Sequence, residues 1–309
     1  MNSALKINYE LRPHKFTERK MLLSTFARIC HFYQSEYQYI GFGGLSFTDF
    51  KLFHKELHIE KMYSIEGGDI SKERLEFNCP YSFIQIHKDL STNVLSRIDL
   101  NKQSLVWLDY DGVLDMYMFE DLSLLMRQLP YGSIYLITCN RELKFEGKEE
   151  YTVEQFQDEF GTLIPFNVNI KDFTSLNNYK TIHKMFSTQI QNIMRDRAKI
   201  GEDVQFLQLY NILYEENRGA RMYTFGGVIT NTETQIENLN LNDFSFIRTD
   251  EDIYGIKIPN LTFREEIHIN QHIPDKIANL RSSNIIDNKD IDKYIETYKF
   301  LPNFFDVRI

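Results

Sequence analysis

The sequence predicts a single α/β domain built on a doubly wound, mostly parallel sheet. Three observations carry that expectation. Between residues 38 and 140, short apolar runs alternate with amphipathic stretches in the order β-α-β-α-β-α-β-α-β, the pattern of a parallel sheet with helices on both faces. The runs are continuous rather than alternating, as in strands buried on both sides. Their carboxyl ends carry glycines and acids, and ligands bind at those ends in open sheets.

Each element has its own signal. Residues 14–36 read as a helix, because Phe16, Met21, Leu22, Phe26, Ile29, Cys30 and Phe32 recur mostly three or four apart. QYIGFGG is a short strand ending in glycines, and DFKLFHKELH is a helix with Asp49 as its candidate N-cap. KMYSIEGG is a second strand, residues 71–78 are helical, SFIQIH is a third strand and LSTNVLSRID a short helix. SLVWLDYDG is the clearest strand and ends in acids. MYMFEDLSLLMRQL is helical, and PYGSIYLITCN is a turn leading into a fifth strand. In residues 141–203, RELKFEGKEEYTVEQFQDEFG is charged and weakly periodic and NYKTIHKMFSTQIQNIMRDRAKIGED is a long polar helix candidate; the stretch reads as an insertion or lid. VQFLQLYNILYEENR reads as helix, RMYTFGGVITN and DIYGIKIPN as strands, and the tail from FREEIHINQHIP onward as mostly helical. One domain over 1–309 is expected. It has an N-terminal helical segment (1–36), a nucleotide-binding half (37–143), an inserted lid (144–203), and a C-terminal half with a helical tail (204–309).

Composition narrows the function classes. A chain of 309 residues buries enough surface on folding to need no disulfide staples. The formal net charge of −9 repels phosphate backbones, so non-specific nucleic-acid binding is not expected. Cys30, Cys79 and Cys139 are odd in number and form no CxxC pair, which fits a reducing cytosol. The opening MNSALKINYELRPHK has no signal-like apolar stretch, and no run approaches the roughly 18 apolar residues of a membrane span. A cytoplasmic protein without membrane contact is expected.

The candidate site is the set of residues at the strand ends: Gly41, Phe42, Gly43 and Gly44 after the first strand, Glu66 after the second, Asp89 past the third, Asp109 and Asp111 after the fourth, and Thr138, Cys139 and Asn140 after the fifth. Glycines there permit φ > 0 and a close approach of ligand to backbone. Glu66 lies 23 residues after Gly43, where an acid can accept from both ribose hydroxyls of a nucleoside cofactor. Asp89 is placed to accept from an adenine amino group. Asp109 would face the reactive end of the cofactor, as a contact to its amino group, a metal ligand or a base. The residues after Gly43 are Gly44, Leu45 and Ser46, so the pyrophosphate fingerprint GxGxxG is absent. That counts against NAD and FAD, whereas S-adenosylmethionine (SAM) carries no phosphate.

The stretch YIGFGGLSFTDFKLFHKELHIEKMYSIEG, with ERLEFNCPYSFIQI and WLDYDGVLD…LPYGSIYLITCN beyond it, resembles the bacterial putative O-methyltransferase family of class I. The similarity is densest over residues 37–140 and extends to ELRPHKFTERKM and to YKFLPNFF. The resemblance implies a Rossmann-like domain binding SAM as cofactor, with about seven strands, the last antiparallel, and with RMYTFGGVIT and IYGIKI as the final two. It implies methyl transfer to an acceptor that the residues do not identify. One departure is Tyr39, which stands where many such enzymes carry an acid two residues before the first glycine; Asp49 or Asp109 would then contact the methionine end.

Two rivals arise from particular residues. LDYDGVLD matches the aspartate-phosphatase signature of haloacid-dehalogenase enzymes, with Asp109 as nucleophile, Asp111 as general acid and a magnesium ion. That fold begins at this strand, whereas three strands precede it here, and GGVITNTETQIE offers no acid at the strand end where the later acidic cluster is required. A non-catalytic SAM-binding or assembly subunit is the second rival, with a partner protein on 144–203 or the C-terminal tail. His268 and His272 lie four apart but lack the HExxH glutamate, and Cys139 replaces the second acid of metal-dependent catechol-type enzymes. No metal is expected. Arg12, Lys15 and Arg19 share one helix face, either as a solvated stripe or against an anionic group.

Overall fold

A computed structural model describes residues 12–145, 149–164, 166, 169–173, 177–215 and 220–302. The N-terminal helix α1 (Pro13–Tyr33) starts with proline in its first turn, where a missing N–H is harmless. The expected alternation then follows: β1 (Gln38–Gly41), α2 (Thr48–Leu57), β2 (Lys61–Ile65), α3 (Lys72–Asn78), β3 (Ile84–His87), α4 (Ser91–Leu95), β4 (Ser104–Val113), α5 (Met116–Gln128) and β5 (Ile134–Asn140). Ser71 caps α3 and Asp115 caps α5, each accepting a backbone N–H of the first turn. Asp49 does not cap α2. The N-cap is Phe47 in the left-handed region, and the Asp49 carboxylate turns instead to Arg19 of α1.

A two-stranded ribbon, β6 (Lys144–Phe145) with β7 (Glu149–Glu150), leads to α6 (Val153–Phe160), whose first turn carries a Thr152–Gln155 capping box. Then come α7 (Asn178–Lys199), β8 (Gln205–Glu215), β9 (Arg221–Thr230), β10 (Tyr254–Gly255), α8 (Phe263–Asn270), α9 (Ile277–Ser282) and α10 (Asn288–Thr297). The last three helices share a small core of Ile269, Leu280, Ile286, Ile291 and Tyr294.

The main sheet has eight strands in the order β10-β8-β9-β5-β4-β1-β2-β3. β3, β2, β1, β4 and β5 run parallel, while β9 is antiparallel to both β5 and β8. β1 lies between β2 and β4, so the chain turns outward to β2 and β3 and then returns across β1. A crevice opens at the carboxyl ends where the order reverses. Along β5, Ile134 and Leu136 face a core with Phe26 of α1 and Phe50 and Phe53 of α2. Tyr135, Ile137 and Cys139 face the opposite core, with Leu122 of α5 and Phe186 of α7.

Two sequence expectations are corrected. VQFLQLYNILYEENR is not helical: its described part forms the long strand β8. A register irregularity between Gln208 and Tyr210 places Leu209 and Tyr210 in the same core, and that breaks the period of two which would have marked a strand. The strands beside β5 are therefore β9 and β8, and IYGIKI supplies only the two-residue edge strand β10, parallel to β8. The stretch read as a lid contains α7, which carries the chain between β5 and β8 and packs on α5. Ile182, Met185, Phe186, Ile190 and Ile193 of α7 are buried. Arg197 near its end donates to the Met126 and Leu129 carbonyls at 2.7 and 2.9 Å, satisfying acceptors at the end of α5.

Phe186 has no exposed surface. Phe186→Ala is expected to destabilise the protein by about 3–5 kcal/mol, read by urea unfolding. A loss below about 1 kcal/mol, which is what a mobile lid would give, contradicts a core role for α7.

Candidate cofactor site

A cavity of about 550 Å³ lies at the carboxyl ends of β1, β2 and β4, within the usual range of small-molecule sites. Phe42, Gly43 and Gly44 line it from the turn after β1, Glu66 from the end of β2, and Asp109 and Asp111 from the end of β4. Six of the eleven strand-end candidates therefore meet in one cavity. Gly41, Asp89, Thr138, Cys139 and Asn140 do not line it.

Glu66 organises the turn. Its Oε1 accepts three hydrogen bonds of 2.8 Å, from the Gly43 N–H, the Gly44 N–H and the Ser64 hydroxyl. Burial pushes its pKa up, and the three donors and Lys88 pull the other way. Oε2 accepts no hydrogen bond among the described residues, so Glu66 keeps an acceptor for a ligand in the cavity it lines. This arrangement discriminates between cofactors. In dinucleotide sites the glycine-turn amides hold the pyrophosphate. Here they hold a carboxylate, which repels phosphate and tolerates a neutral ribose.

The glycines differ in role. Gly44 has φ +55°, the left-handed region where side chains are costly. A Cβ on Gly43 would meet the Ser64 Oγ at 2.5 Å and the Phe47 ring at 2.8 Å. On Gly41 it would clash with the Tyr39 hydroxyl. The positive φ expected for this turn thus belongs to Gly44. Glycine at 41 and 43 makes room for the protein's own side chains.

Asp89 is a correction. Its Oδ1 accepts from the Leu90 N–H and Asn93 Nδ2, and its Oδ2 from Arg97. It secures the start of α4 instead of reaching the cavity. Leu90, Ser91, Thr92 and Asn93 form the wall at that point. Behind them Asp121 of α5, fully buried, accepts from the Thr92 hydroxyl at 2.7 Å and from the Tyr110 hydroxyl at 2.5 Å. Tyr110 stacks edge-on against Phe42 and Tyr117, with centroids 5.0 and 5.5 Å apart. The result is an aromatic wall fit for a planar base.

Helix α1 supplies what sequence reading left open. Lys15 and Arg19 are 1% and 3% exposed, so they form no solvated stripe. The anionic groups they meet are the protein's own. Lys15 Nζ is 2.8 Å from Asp109 Oδ1, and the Arg19 guanidinium pairs with both oxygens of Asp49 at 2.5 and 3.3 Å. Arg19 and Asp49 also line the cavity. Glu18, fully buried with its pKa raised by desolvation, completes the group. A signal was present: the stripe Ile29, Phe26, Leu22 continues backward at helical spacing onto Arg19, Glu18 and Lys15. Charged side chains on a core-facing stripe mark a site.

The phosphatase arrangement is not met. β1, β2 and β3 belong to the same sheet as β4, and β1 borders it directly. Among the described residues no group of three or more His, Cys, Asp or Glu side chains is arranged to hold a metal ion. His268 and His272 are neighbours at 4.6 Å, and the His272 Nδ1 lies 2.8 Å from the His268 carbonyl.

Fold and cavity together define an open α/β protein with a nucleoside-sized site at the switch point of its sheet. The chain belongs to the family described as "Putative O-methyltransferase", whose model matches residues 7–309. No curated protein matches it in sequence. Among solved structures it is similar to Trm1 from Pyrococcus horikoshii in complex with SAM, at 8% identity and a TM-score of 0.44, covering 70% of this chain and 55% of that one. It is similar also to the O-methyltransferase TomG from Streptomyces achromogenes in complex with SAM, at 13% identity and a TM-score of 0.38, covering 68% and 79%. A third is an O-methyltransferase family protein from Burkholderia thailandensis, at 9% identity and a TM-score of 0.35, covering 69% and 56%. The matched part thus spans little more than half of the first and third of these chains.

Gly43→Ala is expected to lower the melting temperature more than Gly44→Ala. The first forces Ser64 or Phe47 to move, while the second adds about 1–2 kcal/mol of left-handed strain. Equal or reversed shifts in thermal unfolding contradict the assignment of the two glycines.

Proposed function

We propose that the chain is a SAM-dependent methyltransferase that transfers a methyl group to the oxygen of an acceptor yet to be identified. The observation that carries this is the single cavity lined by the Gly43–Gly44 turn, Glu66 and Asp109, in a chain of an O-methyltransferase family. Its turn amides are occupied by Glu66, which suits a nucleoside without phosphate at that point. SAM supplies an activated methyl on a sulfonium.

The residues of this chain bind and orient. Glu66 Oε2 accepts from the ribose. Phe42, Tyr110 and the start of α4 flank the base. Asp109 and Asp49 offer negative charge to the ammonium, and Arg19 offers positive charge to the carboxylate. Methyl transfer gains mainly from alignment and exclusion of water, so the site needs no strong base. All three cysteines are free, and no described helix is long and apolar enough to cross a membrane. Both fit the cytoplasm of a bacterium as the setting. A protein acceptor or partner would find exposed apolar side chains at Phe263, Ile267 and Ile285 of the tail.

Calorimetric titration tests the reading. Wild type is expected to bind SAM and S-adenosylhomocysteine without added Mg²⁺. Glu66→Gln is expected to weaken both by about tenfold, equivalent to roughly 1.4 kcal/mol. Glu66→Ala should weaken them further and also lower stability, because it strands two N–H groups and a hydroxyl. Wild-type affinity in Glu66→Gln removes Glu66 from the ligand.

Acidity offers a second check. The raised pKa of Glu66 means that it takes up a proton at a higher pH than an ordinary carboxyl. The ionised form is the better acceptor, so as pH is lowered SAM affinity should begin to fall above the ordinary carboxylate range. This early part of the fall should be absent in Glu66→Gln; a matching early fall there assigns the effect elsewhere.

A further inference from the structure

Helix α1 carries a lysine into the interior at the carboxyl end of β4. The Lys15 Nζ lies 2.8 Å from Asp109 Oδ1, 2.8 Å from Glu18 Oε2, and 4.3 Å from the centroid of the Trp107 ring. The Glu18 carboxylate accepts from the Thr224 hydroxyl of β9. Thr224 is 2.8 Å from the Thr138 hydroxyl of β5, which accepts from the Trp107 indole N–H at 2.9 Å. The groups around the Lys15–Glu18 pair and its contact to Asp109 therefore come from five elements. Lys15 and Glu18 belong to α1, Trp107 to β4, Thr138 to β5 and Thr224 to β9, while Tyr214 of β8 lies beyond Lys15 at 5.6 Å.

Buried charges are a costly way to hold a helix in place. Desolvation offsets much of their attraction, and well-packed apolar side chains of similar volume hold as well or better. What the charges add is direction. A carboxylate with one oxygen fixed by a buried ammonium has a defined plane and a defined edge. Asp109 is the group here that both contacts Lys15 and lines the cavity. Among the described residues Lys15 is not part of the cavity lining, and its contact with the cavity wall runs through Asp109.

We propose that Lys15 is a positioning residue for the amino-acid end of SAM: it sets the orientation of Asp109 at the cavity wall, and α1 is thereby part of the site. The proposal rests on the SAM reading above. It makes a statement that a purely structural role for Lys15 does not make. Ligands reaching Asp109 should sense the lysine, and ligands confined to the Glu66 end should not.

The test titrates the full chain with SAM and with 5′-methylthioadenosine, which keeps the nucleoside and lacks the amino-acid end. Lys15→Met is expected to weaken SAM by about tenfold or more and to leave methylthioadenosine within about twofold of wild type. Lys15→Arg, which keeps the charge, should recover most of the SAM affinity. In an Asp109→Asn background, Lys15→Met should cost SAM little further affinity, because both changes act through one contact. Should Lys15→Met not fold, Lys15→Met combined with Glu18→Gln removes one charge of each sign and is read in the same way. Parallel loss of both ligands, or SAM affinity equal to wild type, overturns the proposal. A wild type that binds neither ligand overturns the SAM reading itself, a separate outcome from a wild type that binds both beside a variant that loses neither.

Discussion

The geometry of the site depends on one carboxylate oxygen. Glu66 Oε1 gathers the Gly43 and Gly44 amides and the Ser64 hydroxyl onto a single point at the end of β2. β1 and β2 are in register through Gly41 and Ser64, so the strands bring the turn and the acid together before any ligand is present. The acid then locks the turn. The buried Gly43 donor and the half-buried Gly44 donor are both satisfied, and the left-handed backbone at Gly44 is held against its cost. The same bonds set what the site can accept. An anion cannot compete for amides already turned toward a carboxylate, so the electrostatics of the turn are opposite to those of a phosphate cradle.

The second constraint is the charge buried under α1. Lys15, Glu18, Arg19, Asp49 and Asp109 are all largely removed from water. None would be placed there by hydrophobic burial, and their pairing yields little net stability once desolvation is counted. The apolar half of α1, with Leu22, Phe26 and Ile29 fully buried, provides the attachment. The charged half is then carried over the carboxyl ends of β4 and β5 and the amino end of β9. A helix that is apolar at one end and ionic at the other, along a single face, serves packing at one end and the cavity at the other.

This division explains how much could be read in advance. The strands β1 to β5 and the helices between them are legible because local pattern and final environment agree: short apolar runs are buried on both faces, and glycines and acids stand at their ends. β8 is not legible, since the irregularity at Gln208–Tyr210 puts consecutive residues into one core and mimics a helical stripe. Asp89 misleads for another reason. An acid just past a strand can serve a ligand or the next helix, and only the position of Asn93 and Arg97 decides between them. The glycine turn and Glu66 are legible by position, but their hydrogen bonds to each other are not, because a side-chain bond to a turn 23 residues away leaves no mark in spacing. α7 is legible as a polar helix, but its place in the core is not: its buried face repeats at 182, 185, 186, 190 and 193, a helical stripe diluted by the charges between.

The motif DYDGVLD shows most sharply why context outranks local pattern. A phosphatase needs its two aspartates in a shared arrangement with a lysine and a further acidic pair, so that a metal and a covalent phosphoryl group can be held together. In a regular strand, residues two apart point the same way, and Asp109 and Asp111 would form such a pair. The register of β4 against β5 is instead broken between Asp109 and Val113. Asp109 is tied to Lys15 beneath α1, while Asp111 is exposed. The lysine that reaches Asp109 comes from a helix preceding the whole sheet, not from a segment after the strand. The surroundings of Asp109 are thus set by α1 and by β1 and β5 on either side of β4, and they make it part of the wall of the cavity that Glu66 also lines. The short motif is compatible with either chemistry; the order of the strands around it, with β1 on one side and β5 on the other, is what assigns the aspartate to the cavity.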